Sequence, residues 1–187
     1  MNAKIKVTSQ KELIEIIKRS AVDADLNHLD VSSVTDLSSI FNHTAFNGDI
    51  SRWDVSAVIY MSGMFSYSPF NGDLSRWDVS SVTDMAWMFA HSAFNGDLSQ
   101  WDVSSVTDMA SMFVNSAFNG DISRWDVSHV ASMYSMFRNG QFNGDISKWS
   151  LKSVEDVGHM FTGSKLQKNR RPIFQIALTP TELCLSQ

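Results

Sequence analysis

Hydrophobic and polar positions recur along this chain every 24 residues. The pattern is clearest over residues 94–117, which read F-N-G-D-L-S-Q-W-D-V-S-S-V-T-D-M-A-S-M-F-V-N-S-A, and the same phrase starts at Phe46, Phe70, Phe118 and Phe142. A fixed period between about 20 and 50 residues is typical of proteins in which one repeat stacks on the next. The pattern therefore predicts one continuous stack of six rungs over residues 22–168.

Each repeat contains two patterns that predict secondary structure. Ile50, Trp53 and Val55 have the spacing that marks a short parallel strand in leucine-rich repeats. The run S-S-V-T-D-M, in which Ser81 can act as an N-cap, predicts the start of a helix of about ten residues. The hydrophobic residues that share one face of this helix are Val82, Met85, Met88 and Phe89. We therefore predict an α/β, leucine-rich-repeat-like solenoid of six 24-residue strand–helix rungs.

The two ends of the chain depart from the repeat. Residues 1–21 are predicted to form an N-terminal cap that seals the first hydrophobic face, with a short strand over Lys4–Val7 and an amphipathic helix over Ser9–Ser20. Residues 169–187 form a non-repeat C-terminal segment. Within it, Ile173–Leu178 is either a capping strand or part of a frayed tail.

Tryptophan and methionine form columns along the predicted stack. Their strict stacking beside Val and Phe favours a core position. A row of methionines can also form a binding groove, and an exposed row of tryptophans can stack on sugars. The columns are Trp53, Trp77, Trp101, Trp125 and Trp149, and the methionines that begin at Met61 and Met64.

The strand side chains that point away from the Trp column are charged. Like charges stacked at the strand spacing repel, and cations diagonal to the aspartates of a neighbouring rung would relieve the repulsion. This face is either a solvated structural lattice or a surface that binds a partner. Its candidate binding residues are Arg52, Asp54, Arg76, Asp78, Arg124 and Asp126.

Positions that break the repeat are the other candidates for function. Trp87 stands where the other rungs carry Ser39, Gly63, Ser111, Ser135 and His159. Because aromatic and arginine side chains are common interface anchors, Trp87 is either a partner-binding residue or a side chain packed over a neighbouring helix. Further departures from the columns occur at Tyr60, Tyr67, His91, His129, Tyr134 and Arg138.

Composition excludes several classes of function. The formal charge is −5, and because nucleic-acid-binding domains normally show a basic surface, we expect no nucleic-acid partner. The single cysteine, Cys184, excludes a disulfide framework. No apolar run approaches the length of a membrane span, so we expect no membrane insertion. No secretory leader is visible, so the sequence as written predicts a cytoplasmic protein.

No group of residues has a spacing that predicts catalysis. The five histidines occupy different repeat positions, and the sequence contains no H-E-x-x-H, G-x-S-x-G or P-loop pattern. The turns of the type Asn47-Gly48-Asp49 suggest calcium, but their oxygens are expected to accept hydrogen bonds from the turn backbone instead. We therefore predict no enzymatic activity, no metal and no cofactor.

The phrase F-N-G-D-(I/L)-S-x-W-D-V-S-S-V-T-D-M-x-x-M-F resembles the bacterial surface-protein repeats of the BspA-like group, over about residues 22–168. The resemblance implies a strand–helix solenoid, a bacterial source, and protein recognition at the cell surface or after secretion. It carries over no catalytic residues, and the chain departs from it by showing no export signal. We expect a non-enzymatic protein-interaction module, for which a host protein is one candidate partner. The alternative is a carbohydrate- or calcium-binding adhesin.

Overall fold

The computed structural model describes residues 4–173. The strand β1 is Ile5–Lys6, the helix α1 is Gln10–Arg19, and the strand β2 is Leu29–Asp30. The strands β1 and β2 pair in parallel. A short 3-10 helix lies at Lys168–Arg170. Between β2 and this 3-10 helix, the chain consists of turns, single parallel bridges and segments without regular secondary structure.

The helix predicted over Ser9–Ser20 is confirmed, with α1 as its extent. The Ser9 hydroxyl accepts the Glu12 N–H at 3.3 Å, and the Glu12 carboxylate accepts the Thr8 N–H at 2.9 Å. The first bond satisfies an N–H group that the first turn of a helix leaves without a partner, and the second holds the residue before the N-cap against the helix. Leu13 and Ile17 are buried on the other side of the helix and join the core. The helix therefore covers the start of the stack.

Backbone hydrogen bonds join each repeat to the next. The Met109 N–H donates to the Ser132 carbonyl at 2.9 Å, and the Phe113 N–H donates to the Met136 carbonyl at 2.9 Å. Parallel bridges connect one position of every rung: Asp36, Tyr60, Asp84, Asp108, Ser132 and Asp156. Successive 24-residue units are therefore hydrogen-bonded to one another in register.

The helix predicted within the rungs, over residues 81–89, is wrong. Met85, Trp87 and Phe89 donate their N–H groups to carbonyls of the following rung at 2.9–3.0 Å, so these amides are not available for the i→i−4 bonds of a helix. Trp87 and His91 also adopt φ angles of 60° and 53°, in the left-handed region. The hydrophobic spacing that suggested a helix is instead satisfied by consecutive turns.

The strand predicted over Ile50–Val55 is also wrong. The Trp53 N–H donates back to the Ile50 carbonyl at 3.1 Å, and the Ser51 N–H donates to the Asp49 carboxylate at 2.9 Å. A parallel strand would need these groups for its neighbour. The segment contains one turn, over residues 50–53, and its apolar side chains are buried.

The core of the stack is made of side-chain columns. Successive rings of the column that begins at Phe41 lie 5.4–6.1 Å apart, with planes within 7° of parallel. The five tryptophans of the Trp53 column are only 4–5% exposed, and the nine column methionines are fully buried. The Trp101 indole N–H donates to the Leu74 carbonyl of the preceding rung at 3.0 Å. The core interpretation is confirmed, and the exposed sugar-stacking row is wrong.

Two parts of the sequence-based picture stay predictions. The structure shows repeats joined in register, and the assignment to a leucine-rich-repeat-like solenoid with boundaries at residues 21 and 168 goes beyond that. The predicted capping strand over Ile173–Leu178 lies, apart from Ile173, outside the described residues, as does Cys184. Across residues 4–173, no helix has the length and apolar character needed to cross a membrane.

Candidate interaction surfaces

The polar face comprises the six charged residues that the sequence singled out on the rungs: Arg52, Asp54, Arg76, Asp78, Arg124 and Asp126. All six are exposed. They occupy equivalent positions of hydrogen-bonded rungs, so the structure brings them together on one side of the stack. Trp87 lies on a different segment of the rung and does not join them.

The aspartates of the polar face are held by their own turns. The Asp78 carboxylate accepts the Ser80 hydroxyl at 2.6 Å and the Ser80 N–H at 3.1 Å. Hydrogen bonds from the serine hydroxyl and then the serine N–H lower the pKa of Asp78, and the same pair from Ser128 lowers the pKa of Asp126. These carboxylates stabilise the scaffold.

The cations of the polar face do not relieve the repulsion between the aspartates of the Asp54 column in the predicted way. Arg52 forms an ion pair with Asp25 at 3.7 Å. Asp25 is not a member of the Asp54 column, because its equivalent in the next rung is Asp49 of the Asn-Gly-Asp turn. Both side chains of this ion pair are more than half exposed, and ion pairs of this kind contribute little to stability. The serine hydroxyl, rather than a neighbouring cation, is the partner of the aspartates in the Asp54 column.

The Asn-Gly-Asp turns bind backbone N–H groups. The Asp73 carboxylate accepts the Ser75 N–H at 2.9 Å, and the Asn71 side-chain oxygen accepts the Asn95 N–H of the next rung at 2.8 Å. The interpretation of these residues as turn-forming side chains is therefore confirmed. Across the described residues, no group of three or more His, Cys, Asp or Glu is arranged to hold a metal ion.

Acid is expected to destabilise the stack through these turns. Hydrogen bonds from serine N–H groups lower the pKa of Asp49, Asp73, Asp97, Asp121 and Asp145. A carboxylate with a lowered pKa stabilises the folded state above its unfolded pKa of about 4, and this contribution is lost as the pH falls through the folded value. The melting temperature should therefore fall between about pH 5 and pH 2. A melting temperature that rises on acidification would contradict this.

The large hydrophobic side chains that the rungs leave exposed all lie on one segment. They occupy residues 59–67 or equivalent positions of other rungs, and each is 36–47% exposed. We call this set the aromatic flank: Ile59, Tyr60, Tyr67, Trp87 and Tyr134. The other exposed large hydrophobic residues of residues 4–173 are at the two ends, at Ile5, Val22 and Ile173.

Trp87 occupies a backbone position that suits glycine. Its φ angle is 60°, and φ is positive at the equivalent residue of every rung: Ser39, Gly63, Ser111, Ser135 and His159. The left-handed conformation costs about 1–2 kcal/mol for residues with a Cβ atom. Packing over a neighbouring helix is wrong as an explanation, because residues 81–89 and their equivalents in the described rungs contain no helix. The backbone conformation at this position therefore gives no reason for a tryptophan.

A second left-handed column carries stacked aromatic rings. The rings of His43 and Tyr67 lie 4.4 Å apart, and those of Tyr67 and His91 lie 4.2 Å apart, with planes within 9° of parallel. The row continues to Asn115, whose side-chain nitrogen is 3.4 Å from His91 Nε2. These rings form one edge of the aromatic flank.

One protein family matches this sequence. The family described as "Mycoplasma protein of unknown function, DUF285" matches residues 11–117 and, in a second and overlapping match, residues 69–173. Together the two matches span most of the chain. The chain belongs to this family. No curated protein and no solved structure matches it.

In this DUF285 chain, sequence reasoning missed a group of acidic residues. The sequence pattern predicts Asp84 at the start of a helix, whereas the structure places it between Tyr60 and Asp108 in the column of parallel bridges. Burial raises the pKa of Asp84 against the opposing hydrogen bond from the Ala86 N–H, and the neighbouring carboxylates of Asp108 and Asp36 raise it further. The 24-residue spacing of these aspartates was the available signal.

Replacing Trp87 by glycine is expected to change the free energy of unfolding by less than about 1 kcal/mol. Relief of the left-handed strain offsets the packing lost by a half-exposed side chain. Trp87→Val places a β-branched residue at positive φ and should be less stable than Trp87→Gly by roughly 1–2 kcal/mol. Urea unfolding of both variants measures this. A loss above about 3 kcal/mol in the glycine variant would show that Trp87 is needed for packing.

Proposed function

We propose that this chain is a non-enzymatic protein-recognition module that binds a protein partner through the aromatic flank. The observation that supports it is the segregation of exposed hydrophobic residues. Contiguous exposed apolar surface on a folded protein is typical of interaction sites. Tyrosine and tryptophan provide large, rigid contact areas and are enriched among the residues that dominate binding energy. Three of the five flank residues are tyrosines and one is a tryptophan.

The polar face is the weaker candidate for binding, because the scaffold accounts for its residues. Its aspartates accept hydrogen bonds from the serines of their own turns, and Arg52 pairs with Asp25. In the aromatic flank, Tyr67 and Tyr134 contact histidine rings of neighbouring rungs. The Trp87 side chain, by contrast, has no hydrogen-bond or ring partner among the described residues. Trp87 even adopts a conformation that disfavours it, and strained residues concentrate at functional sites.

The histidine nearest to a serine and an aspartate does not form a catalytic arrangement. His129 Nδ1 lies 3.4 Å from the Ser128 hydroxyl, and both side chains are at the surface. The Asp126 carboxylate accepts the Ser128 N–H at 3.0 Å, so it is hydrogen-bonded to the serine and not to the histidine ring. A nucleophile–base–acid triad needs the aspartate to orient the histidine.

Family membership and the repeat phrase together support a bacterial protein of the BspA-like group that acts at the cell surface or after secretion. Protease treatment of intact cells tests this location. Cleavage of the protein without cell lysis is the expected result, and complete protection in intact cells would place it inside.

Affinity capture with two matched variants tests the proposed function. The flank variant carries Tyr60→Ser, Trp87→Ser and Tyr134→Ala, which are residues that other rungs have at these positions. The polar-face variant carries Gln, as at Gln100, in place of the three arginines, Arg52, Arg76 and Arg124. Because both variants use side chains that the stack already accommodates, both should fold, which thermal unfolding checks.

The expected result is a protein captured by the wild-type chain and by the polar-face variant but lost with the flank variant. Capture that survives in the flank variant and disappears in the polar-face variant would move the binding site to the polar face. Capture that is equal for all three chains would contradict the proposal.

A further inference from the structure

The aromatic flank differs from the rest of the stack in its charge. Residues 35–43, 59–67, 83–91 and 107–115 contain no lysine or arginine, although they contain Asp36, Asp84 and Asp108. The polar face, by contrast, alternates arginines with aspartates. Taken together, these four segments combine Tyr60, Tyr67 and Trp87 with three carboxylates and no basic side chain, whereas the fifth segment, residues 131–139, combines Tyr134 with Arg138.

The acidic and aromatic side chains of the flank are neighbours. Parallel bridges join Asp36 to Tyr60, Tyr60 to Asp84, and Asp84 to Asp108. Paired backbones of this kind are about 4.8 Å apart. Trp87 follows Asp84 by three residues in the same rung. Tyr60 therefore lies between two carboxylates, with the exposed indole of Trp87 close by along the chain.

The three aspartates have no cation to balance them. The ion pairs within residues 4–173 involve Glu15 and Asp25 and none of these three. Asp84 and Asp108 each accept one backbone N–H, at 2.8 Å, from the residue two positions on. Burial raises the pKa of the partly buried Asp84, and the carboxylates of Asp108 and Asp36 raise it further. A cation placed against this column would relieve the repulsion and would be held by it.

We propose that the aromatic flank binds a short, extended segment of a protein partner that carries arginine or lysine side chains. This deepens the proposed function and rests on it. Aromatic ring faces attract such cations, and the carboxylates beside Tyr60 supply the counter-charge. The flank from Tyr60 to Tyr134 extends over three rung spacings, about 14 Å, which about five extended residues span. Apolar side chains of the same segment cover Trp87.

A peptide titration with matched charge variants tests this inference. The probe is the capped peptide Arg-Leu-Arg-Leu-Arg, and the control peptide replaces arginine with glutamate. Binding to the wild-type chain is followed by NMR, through the chemical shifts of its backbone amides. We expect saturable binding of the arginine peptide, with chemical-shift changes confined to residues 59–63, 83–87, 107–111 and 131–135, and no binding of the glutamate peptide.

Two double variants separate local recognition from attraction to an acidic protein. Asp84→Ser with Asp108→Ser removes two carboxylates from the flank, and Ser132 shows that serine fits this column. Asp54→Ser with Asp78→Ser removes two carboxylates from the polar face, where Ser150 occupies the equivalent position. The net charge changes equally. We expect the flank pair to weaken peptide binding at least tenfold and the polar-face pair by less than about threefold.

Several outcomes would overturn the inference. If the two double variants weaken binding of the arginine peptide equally, the attraction is a general one to an acidic protein. If the arginine and glutamate peptides bind equally well, cations play no part in recognition. A concentration-dependent dimer, detected by sedimentation and abolished by Trp87→Ser, would make a second copy the occupant. If the flank variant loses a captured protein but the arginine peptide does not bind, the proposed function stands and this inference fails. If neither is observed, both fail.

Discussion

Replacing Phe113 by alanine is expected to lower the free energy of unfolding by about 3–5 kcal/mol. The side chain is 1% exposed and belongs to the continuous ring column of the core. Its ring lies 5.7 Å from that of Phe89, 5.9 Å from that of Phe137 and 4.3 Å from that of Phe118. Alanine leaves a cavity between rungs that hydrogen bonds hold in register, so the site has little freedom to collapse. Urea unfolding measures the loss.

Tyr67→Ala is the matched control for this substitution. Tyr67 also lies between two rings, those of His43 and His91, but it is 46% exposed. Its removal opens no buried cavity and should cost less than about 1.5 kcal/mol. Similar losses in the two variants would show that ring stacking as such, rather than burial, stabilises the columns.

Much of the packing could be predicted from the sequence, because a strict period fixes which residues share an environment. The Trp53 column and the methionine columns are buried, as their stacking indicates. The helix α1 was predictable because Ser9 and Glu12 provide a local capping signal that needs no knowledge of the rest of the fold.

The secondary structure of the rungs could not be predicted in the same way. Spacings of three and four residues suggest a helix, but consecutive turns place side chains on one side with the same spacing. The deciding information is that alternate amides, such as those of Met85 and Trp87, donate to the next rung. That is a tertiary interaction, which a local pattern does not contain. Gly63 and Gly163, both at positive φ, were the available hints of left-handed positions.

The candidate site was found in part. Trp87 was identified because it breaks the repeat, and its exposure supports that choice. The polar-face residues were identified from an assumed strand, and the structure gives most of them scaffold roles. Asp84 and Asp108 were missed because they conform to the repeat. Their proximity to Tyr60 depends on the bridge register between rungs.

Excision of one complete repeat is expected to leave a folded protein, whereas excision of half a repeat is expected to abolish folding. Removal of residues 94–117 places Phe89 next to Phe137 and Trp77 next to Trp125, so that every column continues with one fewer member. Stability should fall because a stack loses one set of neighbour contacts. Removal of residues 94–105 leaves too short a rung to span its neighbours and moves polar positions into the core columns.

Thermal unfolding of these two chains, followed by the near-ultraviolet circular dichroism of the buried tryptophans, tests the 24-residue stack most directly. A single cooperative transition for the chain without residues 94–117, together with no transition for the chain without residues 94–105, is the result this account predicts. Two chains that unfold alike, or a whole-repeat excision without tertiary signal, would contradict it.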